Sequence, residues 1–453
     1  MNRVSEDSKC IAVVVSAMGG KPKTTDLLLD LVKEAETSPD CSSSSISSFT
    51  TIKPISPKHH GPSPPSPPKF DSAAMRSFDY KTLDLIFDKH AKCIEELNFS
   101  AVIRETLLSE IAVMCSDIQD ILKTVQILRW APSKIGEIVS SFGEIFSAHI
   151  FEQVIRRSLE SEFSDIEVMF VDARRVIDVE ETSNGGKEPL QKILYESSRE
   201  KLRSVLSEGS LDTRKLLVIT GYIASTSTGV PTTLKRDGSD FSATIFGSLL
   251  DSLSVTIWTD VSGILSCDPR LVRSAKVLEE VSFHEAMELS YFGAKVVHPK
   301  CVQPCANSDP PIPIYIRNTF SPLDNGTKIF SSSKTHRTRE LCVAAFSTVN
   351  EVAILNLEGS GMVGAKGVAR RLFGALEDNN INVILIAQAS SEQSISLCVD
   401  MNQAEAARKI LSEVFDREVR LYAIHCKHTM QRICCDHALC HVMYHIISPF
   451  FVD

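Results

Sequence analysis

The apolar pattern begins at residue 11 with an unbroken run, IAVVV, then SAMGGK, then KTTDLLLDLV with its leucines at helical spacing. Five successive apolar residues suit a strand buried on both faces, and the Thr and Asp that follow can cap a helix. The pattern is lost over 39–68, where 17 of 30 residues are Pro or Ser. Such a stretch buries too little apolar surface to offset its chain entropy, which predicts a disordered insert. From Phe78 to about Arg157 apolar residues return every three or four positions, in LDLIFDKHAKCIEEL and IRETLLSEIAVMCSDIQDILKTVQIL. That spacing predicts a mainly helical region over 78–157. Glu180 to Lys187, with Gly185 and Gly186, reads as a loop.

Beyond Lys215 the texture becomes strand, loop and helix in turn. KLLVITG, SVTIWTD and PIPIYIRN are short β-rich runs, and the polar stretch TTLKRDGSD opens the helical FSATIFGSLLDSL. This alternation predicts an α/β domain with a mostly parallel sheet, whose ligands gather at the carboxyl ends of the strands. From Val352 six elements follow: VAILNL, GVARRLFGALEDN, NVILIAQ, SISLCVD, AEAARKILSEVF and EVRLYAI. Their β-α-β-β-α-β order is that of a ferredoxin-like module. The predicted organisation is a domain over 1–335, a module over 345–424 and an irregular tail over 425–453.

Length and composition narrow the classes. At 453 residues, two or three domains are expected, and 43% hydrophobic with 23% charged residues is ordinary globular content. A net charge of −9 offers no general attraction to nucleic acid or an anionic membrane. No window approaches 18 apolar residues, and MNRVSEDSKC has neither secretory nor transit composition, so the chain as it stands reads as cytoplasmic. A plastid location would need a transit peptide ahead of it. Most of the 13 cysteines stand singly in apolar runs, as Cys342 and Cys398 do, which fits a reducing compartment. In the tail, Cys426, Cys434, Cys435 and Cys440 interleave with histidines, but no CxxC pair occurs and the spacing matches no standard zinc finger.

Chemistry-bearing residues cluster in the α/β domain. Arg236 supplies a fork for a carboxylate, Gly238 permits close approach, and Asp240 stands at a helix start. Thr259 and Asp260 end a strand run, Asp268 and Arg270 lie in a loop, and Lys295 is a point charge suited to phosphate. Singly, each has a plainer reading as a solvated charge or an N-cap. Together they describe an α/β enzyme that handles an anionic ligand. The triplet Gly359, Gly361, Gly364 imitates a dinucleotide loop, but the next strand ends in Gln388, Ala389 and Ser390 with no acid for a ribose. A turn inside a small regulatory module accounts for it better than a dehydrogenase does. No Walker A loop is present.

The order VVVSAMGGKPKTTDLL, SFGE, ITGYIAS, TTLKRDGSDFSA, VTIWTDVSGILSCDPR, MELSYFGAKVVHP resembles the aspartate kinases of the amino-acid kinase superfamily, over Ile11 to about Ile424. LEGSGMVGAKGVARRLFGALEDNNINVILIAQASSE resembles the first ACT module of that family, as in the bifunctional aspartate kinase–homoserine dehydrogenases. The resemblance implies an amino-acid kinase fold, with a mostly parallel sheet sandwiched by helices, plus a C-terminal ferredoxin-like ACT module. It also implies phosphoryl transfer from ATP with Mg2+ to the side-chain carboxylate of L-aspartate. Ser16, Thr25, Glu144, Arg236 and Ser239 would then bind aspartate, with Arg236 on its α-carboxylate. Asp240 would organise the transfer with Arg236 and Lys295. Thr259, Asp260, Leu265, Arg270 and Lys295 would hold the nucleotide, while Asn382 and Gln388 would border a site for an effector amino acid, threonine or lysine, in paired modules of at least a dimer. The metal ligands stay unassigned. Two departures stand out: the motif KFGG, whose Lys reaches the phosphates in the family, is absent, and Leu265 stands where many members have Tyr. The chain therefore reads as a piece of a longer enzyme. The competing reading is a catalytically impaired, effector-binding homologue.

Overall fold

The computed structural model describes residues 11–37, 78–159, 166–182, 190–207, 214–235, 238–291, 297–331, 345–359, 362–388, 393–416 and 425–436. The Pro/Ser insert expected at 39–68 lies outside them. The chain divides into two compact units, Met1–Ile257 with Lys300–Pro313, and Trp258–Pro299 with Ile314–Asp453.

The first unit opens with β1 (Ile11–Val15), α1 (Thr24–Thr37), α2 (Lys81–Glu96), α3 (Ala101–Leu128) and α4 (Ser133–Leu159). The helices form where apolar residues recur at three and four: Leu28, Leu31 and Ala35 on α1, Leu83, Ile86, His90 and Ile94 on α2, Leu107, Ile111, Cys115, Ile118 and Leu122 on α3. These residues are buried and share one core with Phe146 of α4. Ser100 caps α3 by accepting from the Ile103 amide, and Arg129 ends it in the left-handed region. Then follow β2 (Ile166–Val171), β3 (Asp178–Thr182), β4 (Leu190–Ile193), α5 (Tyr195–Ser207), β5 (Arg214–Thr220), β6 (Ile223–Thr226), β7 (Pro231–Thr233) and α6 (Gly238–Leu249).

The parallel sheet is present as β1-β5-β2, with Val15 opposite Thr220 and Val171 opposite Ile219. Leu216 to Thr220 of β5 are all buried, as a central parallel strand requires. A second sheet, β4-β3-β6-β7, is mixed. Its antiparallel pairs arise where the links are too short for a crossover: four residues between β6 and β7, seven between β3 and β4. The predicted loop at 180–187 is therefore strand as far as Thr182.

β8 (Val255–Thr259) carries the chain into the second unit at Trp258. There β9 (Glu280–Ser282) leads to α7 (Phe283–Tyr291), and α8 (Pro299–Ala306) returns to the first unit before β10 (Ile314–Asn318) and β11 (Thr327–Phe330). The sheet runs β8-β10-β11-β9. Next come β12 (Phe346–Glu358), α9 (Val368–Asp378), β13 (Val383–Gln388), β14 (Ser394–Asp400), α10 (Ala404–Val414) and β15 (His425–Asp436). Their sheet order β13-β14-β12-β15 is ferredoxin-like, with antiparallel neighbours throughout. Leu355 and Leu357 of β12, Leu372 of α9, Leu397 of β14 and Leu411 of α10 form its core.

The last strand differs from expectation. EVRLYAI was to supply it, but residues 417–424 lie outside the described residues, and the partner of β12 is His425–Asp436, part of the stretch read as an irregular tail. VAILNL itself pairs with residues 426–431, and β12, at thirteen residues against the six expected, continues back to Phe346 opposite Asp436.

Candidate functional site

In the first unit, the carboxyl ends of β1 and β5 meet the start of α6. The Gly221 amide donates to the Val15 carbonyl at 2.8 Å. A Cβ on Gly221 would lie 2.7 Å from Ser239 Oγ and 3.0 Å from Val15 O, so only glycine lets the three segments close together. Gly238 is similarly constrained, since a Cβ there would come within 2.4 Å of the Tyr222 ring. Tyr222 itself is left-handed, at φ 64, and its amide donates to Ser242 Oγ of α6 at 3.0 Å. Ser239 and Asp240 thus occupy the first turn of α6, half-buried, where the helix dipole favours negative charge.

Beyond β1, Ser16 is exposed and the chain passes through Gly19 and Gly20 into α1. Thr24 is fully buried and ties that turn together, its hydroxyl donating to the Met18 carbonyl at 2.8 Å; Thr25, named from the motif, is half-buried one residue on. Glu144 reaches the same turn from α4. Its side chain is 4% exposed and accepts the Ala17 amide, while Oε2 has no hydrogen-bond partner among the described residues. Burial pushes its carboxyl up to about 8, against the opposing pull of the Ala17 amide and its own. A buried carboxyl oxygen left open in this way is free to take a polar partner.

Two turns earlier on the same face of α4, Glu137 holds the approach to α6. It pairs with Lys235 and with Lys134, and accepts from Thr232 Oγ1 at 2.7 Å. Burial would raise its carboxyl, but the Lys235 and Thr232 hydrogen bonds outweigh it and hold the group below the usual range. Lys235 sits at φ 64, a strained conformation for a lysine that this pairing helps to keep. Arg236, the next residue, lies outside the described residues.

In the second unit, Thr259 and Asp260 end β8, with Thr259 Oγ1 donating to Asp260 at 3.2 Å. The Thr319 amide donates to the Thr259 carbonyl at 2.8 Å, and Asn318 Nδ2 to Ser262 Oγ at 3.1 Å, so the end of β10 steadies this corner. From there residues 264–266 run out and 276–278 run back, with Leu265 bridged to Val277. Arg270 lies at the tip of that excursion, its guanidinium held by Asp268 at 2.7 and 3.0 Å but 80% exposed. Hydrogen bonds from Arg270 hold the Asp268 carboxyl below its ordinary value. The corner and the tip are thus separate parts of the expected nucleotide set. Lys295 lies outside the described residues.

In the ferredoxin-like module, Asn382 and Gln388 stand at opposite ends of β13. At about 3.3 Å per residue they are about 20 Å apart, too far for one amino acid to touch both within one copy. Asn382 lines an open depression of about 410 Å3 with Ile384, Asp400 and Gln403; Gln388 is not among its lining residues. Among the described residues no group of three or more His, Cys, Asp or Glu side chains is placed to hold a metal ion.

Residues 3–318 match the amino acid kinase family, and residues 355–415 match an ACT domain. The chain belongs to the amino acid kinase family. This amino acid kinase chain is 33% identical to the bifunctional aspartokinase/homoserine dehydrogenase 2, chloroplastic, of Arabidopsis thaliana, over 92% of its own length and 40% of that protein. Against the maize bifunctional aspartokinase/homoserine dehydrogenase 1, chloroplastic, the figures are 38%, 70% and 33%. It therefore spans about a third to two fifths of these relatives. The lysine-sensitive aspartokinase 3 of Escherichia coli is 32% identical over 71% of this chain and 66% of that one. In fold, the chain resembles E. coli aspartokinase III, solved with lysine and aspartate, at a TM-score of 0.61 and 23% identity, covering 93% of this chain and 79% of that one. A Clostridium acetobutylicum aspartate kinase gives 0.65 at 20% identity, covering 98% and 85%.

Of the expected aspartate-binding residues, the amino acid kinase fold brings Ser16, Thr25, Glu144 and Ser239 to the ends of β1 and β5. The motif reading missed Gly221, Glu137 and, on α2, Lys89, whose Nζ donates to the Pro22 carbonyl and to Thr24 Oγ1. Gly221 was visible in ITGYIAS as the glycine that ends a strand, whereas Lys89 and Glu137 sit in helices with no local signal to set them apart.

Proposed function

We propose that the chain is the kinase portion of an aspartate kinase, transferring the γ-phosphoryl group of ATP to the side-chain carboxylate of L-aspartate. The products are ADP and 4-phospho-L-aspartate, the entry to lysine, threonine and methionine biosynthesis. The observation that carries this reading is Glu144: a buried carboxyl, open at Oε2, at the end of the central strands. It suits the ammonium of an amino acid, which on binding converts the carboxyl to its charged form. Arg236 would clamp the α-carboxylate, leaving the β-carboxylate turned toward the phosphate. One of its oxygens attacks the γ-phosphorus as the bond to the β–γ bridging oxygen breaks, and ADP leaves with that electron pair. The carboxylate is already a nucleophile, so orientation and charge neutralisation supply the rate and no general base is required.

Thr259, Asp260, Leu265, Arg270 and Lys295 would hold the nucleotide. Magnesium would arrive on the triphosphate, since Mg2+ is usually bound by one or two carboxylates together with phosphate oxygens, and Asp240 is suited to steady it. A hydroxamate assay with aspartate, ATP and magnesium tests the reading, because only an acyl phosphate traps hydroxylamine. Effector binding without turnover would select the impaired regulatory homologue instead.

For regulation, we infer a two-fold pairing of β13 edges between two copies. Antiparallel pairing centred on Leu385 sets Asn382 of each copy opposite Gln388 of the other, which assembles two equivalent effector sites, each from two residues that are distant within one copy. β13 is an edge strand with Ile386 55% exposed. Threonine or lysine would occupy each shared site. Ile386→Lys should yield monomers in sedimentation and abolish the effector's thermal shift; an unchanged dimer with an intact shift would exclude this pairing. For location, the reading is cytoplasmic for the chain as it stands and plastid if a transit peptide precedes it. Import of the full gene product into isolated chloroplasts separates the two.

A further inference from the structure

Lys89, on α2, belongs to none of the motifs and takes no part in the chemistry above. Its Nζ donates to the Pro22 carbonyl at 3.0 Å and to Thr24 Oγ1 at 3.2 Å, and reaches the Met18 carbonyl at 3.4 Å. An ammonium carries three N–H groups, and here all three end on one stretch of chain 65–71 residues distant in sequence. Thr24 closes the set, since its hydroxyl accepts from Lys89 and donates to the same Met18 carbonyl. Gly20 adopts φ 103, and a Cβ on it would stand 3.7 Å from Nζ, so the ammonium lies beside Gly20.

The same turn is held from its amide side by Glu144, which accepts the Ala17 N–H, and Gly143 lets α4 approach so closely that a Cβ there would meet Ala17 Cβ at 3.0 Å. Two helices from the bundle therefore grip residues 17–24, a cation on the carbonyls and a carboxyl on the amide. All three acceptors of Lys89 are neutral, so they leave its charge uncancelled; desolvation holds the ammonium below the ordinary lysine range.

We propose that Lys89 is a positioning residue for the substrate turn: it fixes the path of residues 18–24 between Ser16 and Thr25 and adds positive charge beside Gly20. The ligand's identity rests on the aspartate kinase reading; the grip on the turn does not.

Two variants and two readouts decide it. In Lys89→Met, amide hydrogen exchange of the peptide covering 16–24, measured without ligand, should accelerate about tenfold. The KM for aspartate should rise about tenfold, equivalent to about 1.4 kcal/mol, with the KM for ATP within about twofold. Lys89→Arg keeps the charge but splays its donors in a planar fork that cannot converge on three acceptors. It should recover part of the KM for aspartate relative to Lys89→Met while the turn still exchanges fast. A Lys89→Met protein with wild-type exchange overturns the proposal, as does one in which both KM values rise together. If Lys89→Met does not fold, Lys89→Arg carries the exchange comparison alone. Should the wild type phosphorylate no aspartate, the functional reading fails, while the exchange data still decide the role of Lys89.

Discussion

Replacing Glu144 by Gln removes one titratable proton from the end of β1 and leaves the shape of the site almost unchanged. Glu144 is 4% exposed, and burial raises its carboxyl from an ordinary 4.5 to about 8. Between those values the folded protein keeps a proton that the unfolded chain has released. Stability attributable to this group is therefore fully present below about pH 4.5 and is lost as pH rises through about 8. Each pH unit is worth about 1.4 kcal/mol, so the interval amounts to about 5 kcal/mol. Urea unfolding at about pH 5.5, 7 and 8.5 should show wild-type stability falling along this slope, with the Gln variant lacking it and the more stable of the two at the alkaline end. The same variant should lose aspartate binding, because a neutral amide is a poor partner for an ammonium. Calorimetry offers a second view: at pH 7 a carboxyl raised to about 8 is mostly protonated, so aspartate should expel most of one proton on binding to the wild type and none on binding to the variant. Parallel pH profiles for the two proteins would refute the assignment of a neutral, buried Glu144.

Arg236→Lys should impair aspartate use far more than ATP binding, because an ammonium cannot reproduce a bidentate contact; equal losses in steady-state kinetics would remove the clamp assignment. His90 is fully buried, with Nδ1 on the Ile86 carbonyl at 2.7 Å and Nε2 without a partner among the described residues, and burial lowers it to about 4. The unfolded state takes the proton first, so stability should fall by about 3 kcal/mol as pH drops from 6.5 to 4, and His90→Leu should flatten that limb in the same unfolding series. Gly221→Ala drives a Cβ against Ser239 and Val15 and should cost about 1–3 kcal/mol and weaken aspartate binding. Gly19→Ala, which meets nothing within 4 Å, should stay within about 0.5 kcal/mol by thermal denaturation.

Local pattern was enough to locate most elements. IAVVV and KLLVIT are strands because a continuous apolar run can be buried on both faces, and α1, α2 and α3 are helices because their apolar residues fall on one stripe. The β-α-β-β-α-β order of the C-terminal module was likewise legible, since each element carries its own periodicity. The tail strand was not. HCKHTMQRICCD has no strong alternation, and its pairing with β12 belongs to the assembled sheet, not to any local pattern.

Residue type and place singled out Asp240, Thr259 and Asp260, whereas Ser16, Thr25, Glu144 and Ser239 were expected at the site only through the resemblance to the aspartate kinases. What the motifs could not express is which groups are buried and which stay wet. Glu144 and Arg270 are both charged residues in recognisable motifs, yet one is enclosed with a carboxyl raised to about 8 and the other is an exposed guanidinium paired with its neighbour Asp268. Nor could they show that Lys89 and Glu137 hold the loops carrying the motif residues, because those contacts join helix faces to turns dozens of residues away. Sequence alone determined the elements and the chemical inventory, since periodicity and side-chain type are local. The tertiary structure decided protonation, the positions of the loops and the separation of Asn382 from Gln388, since desolvation, hydrogen bonding and distance depend on what packs against each group.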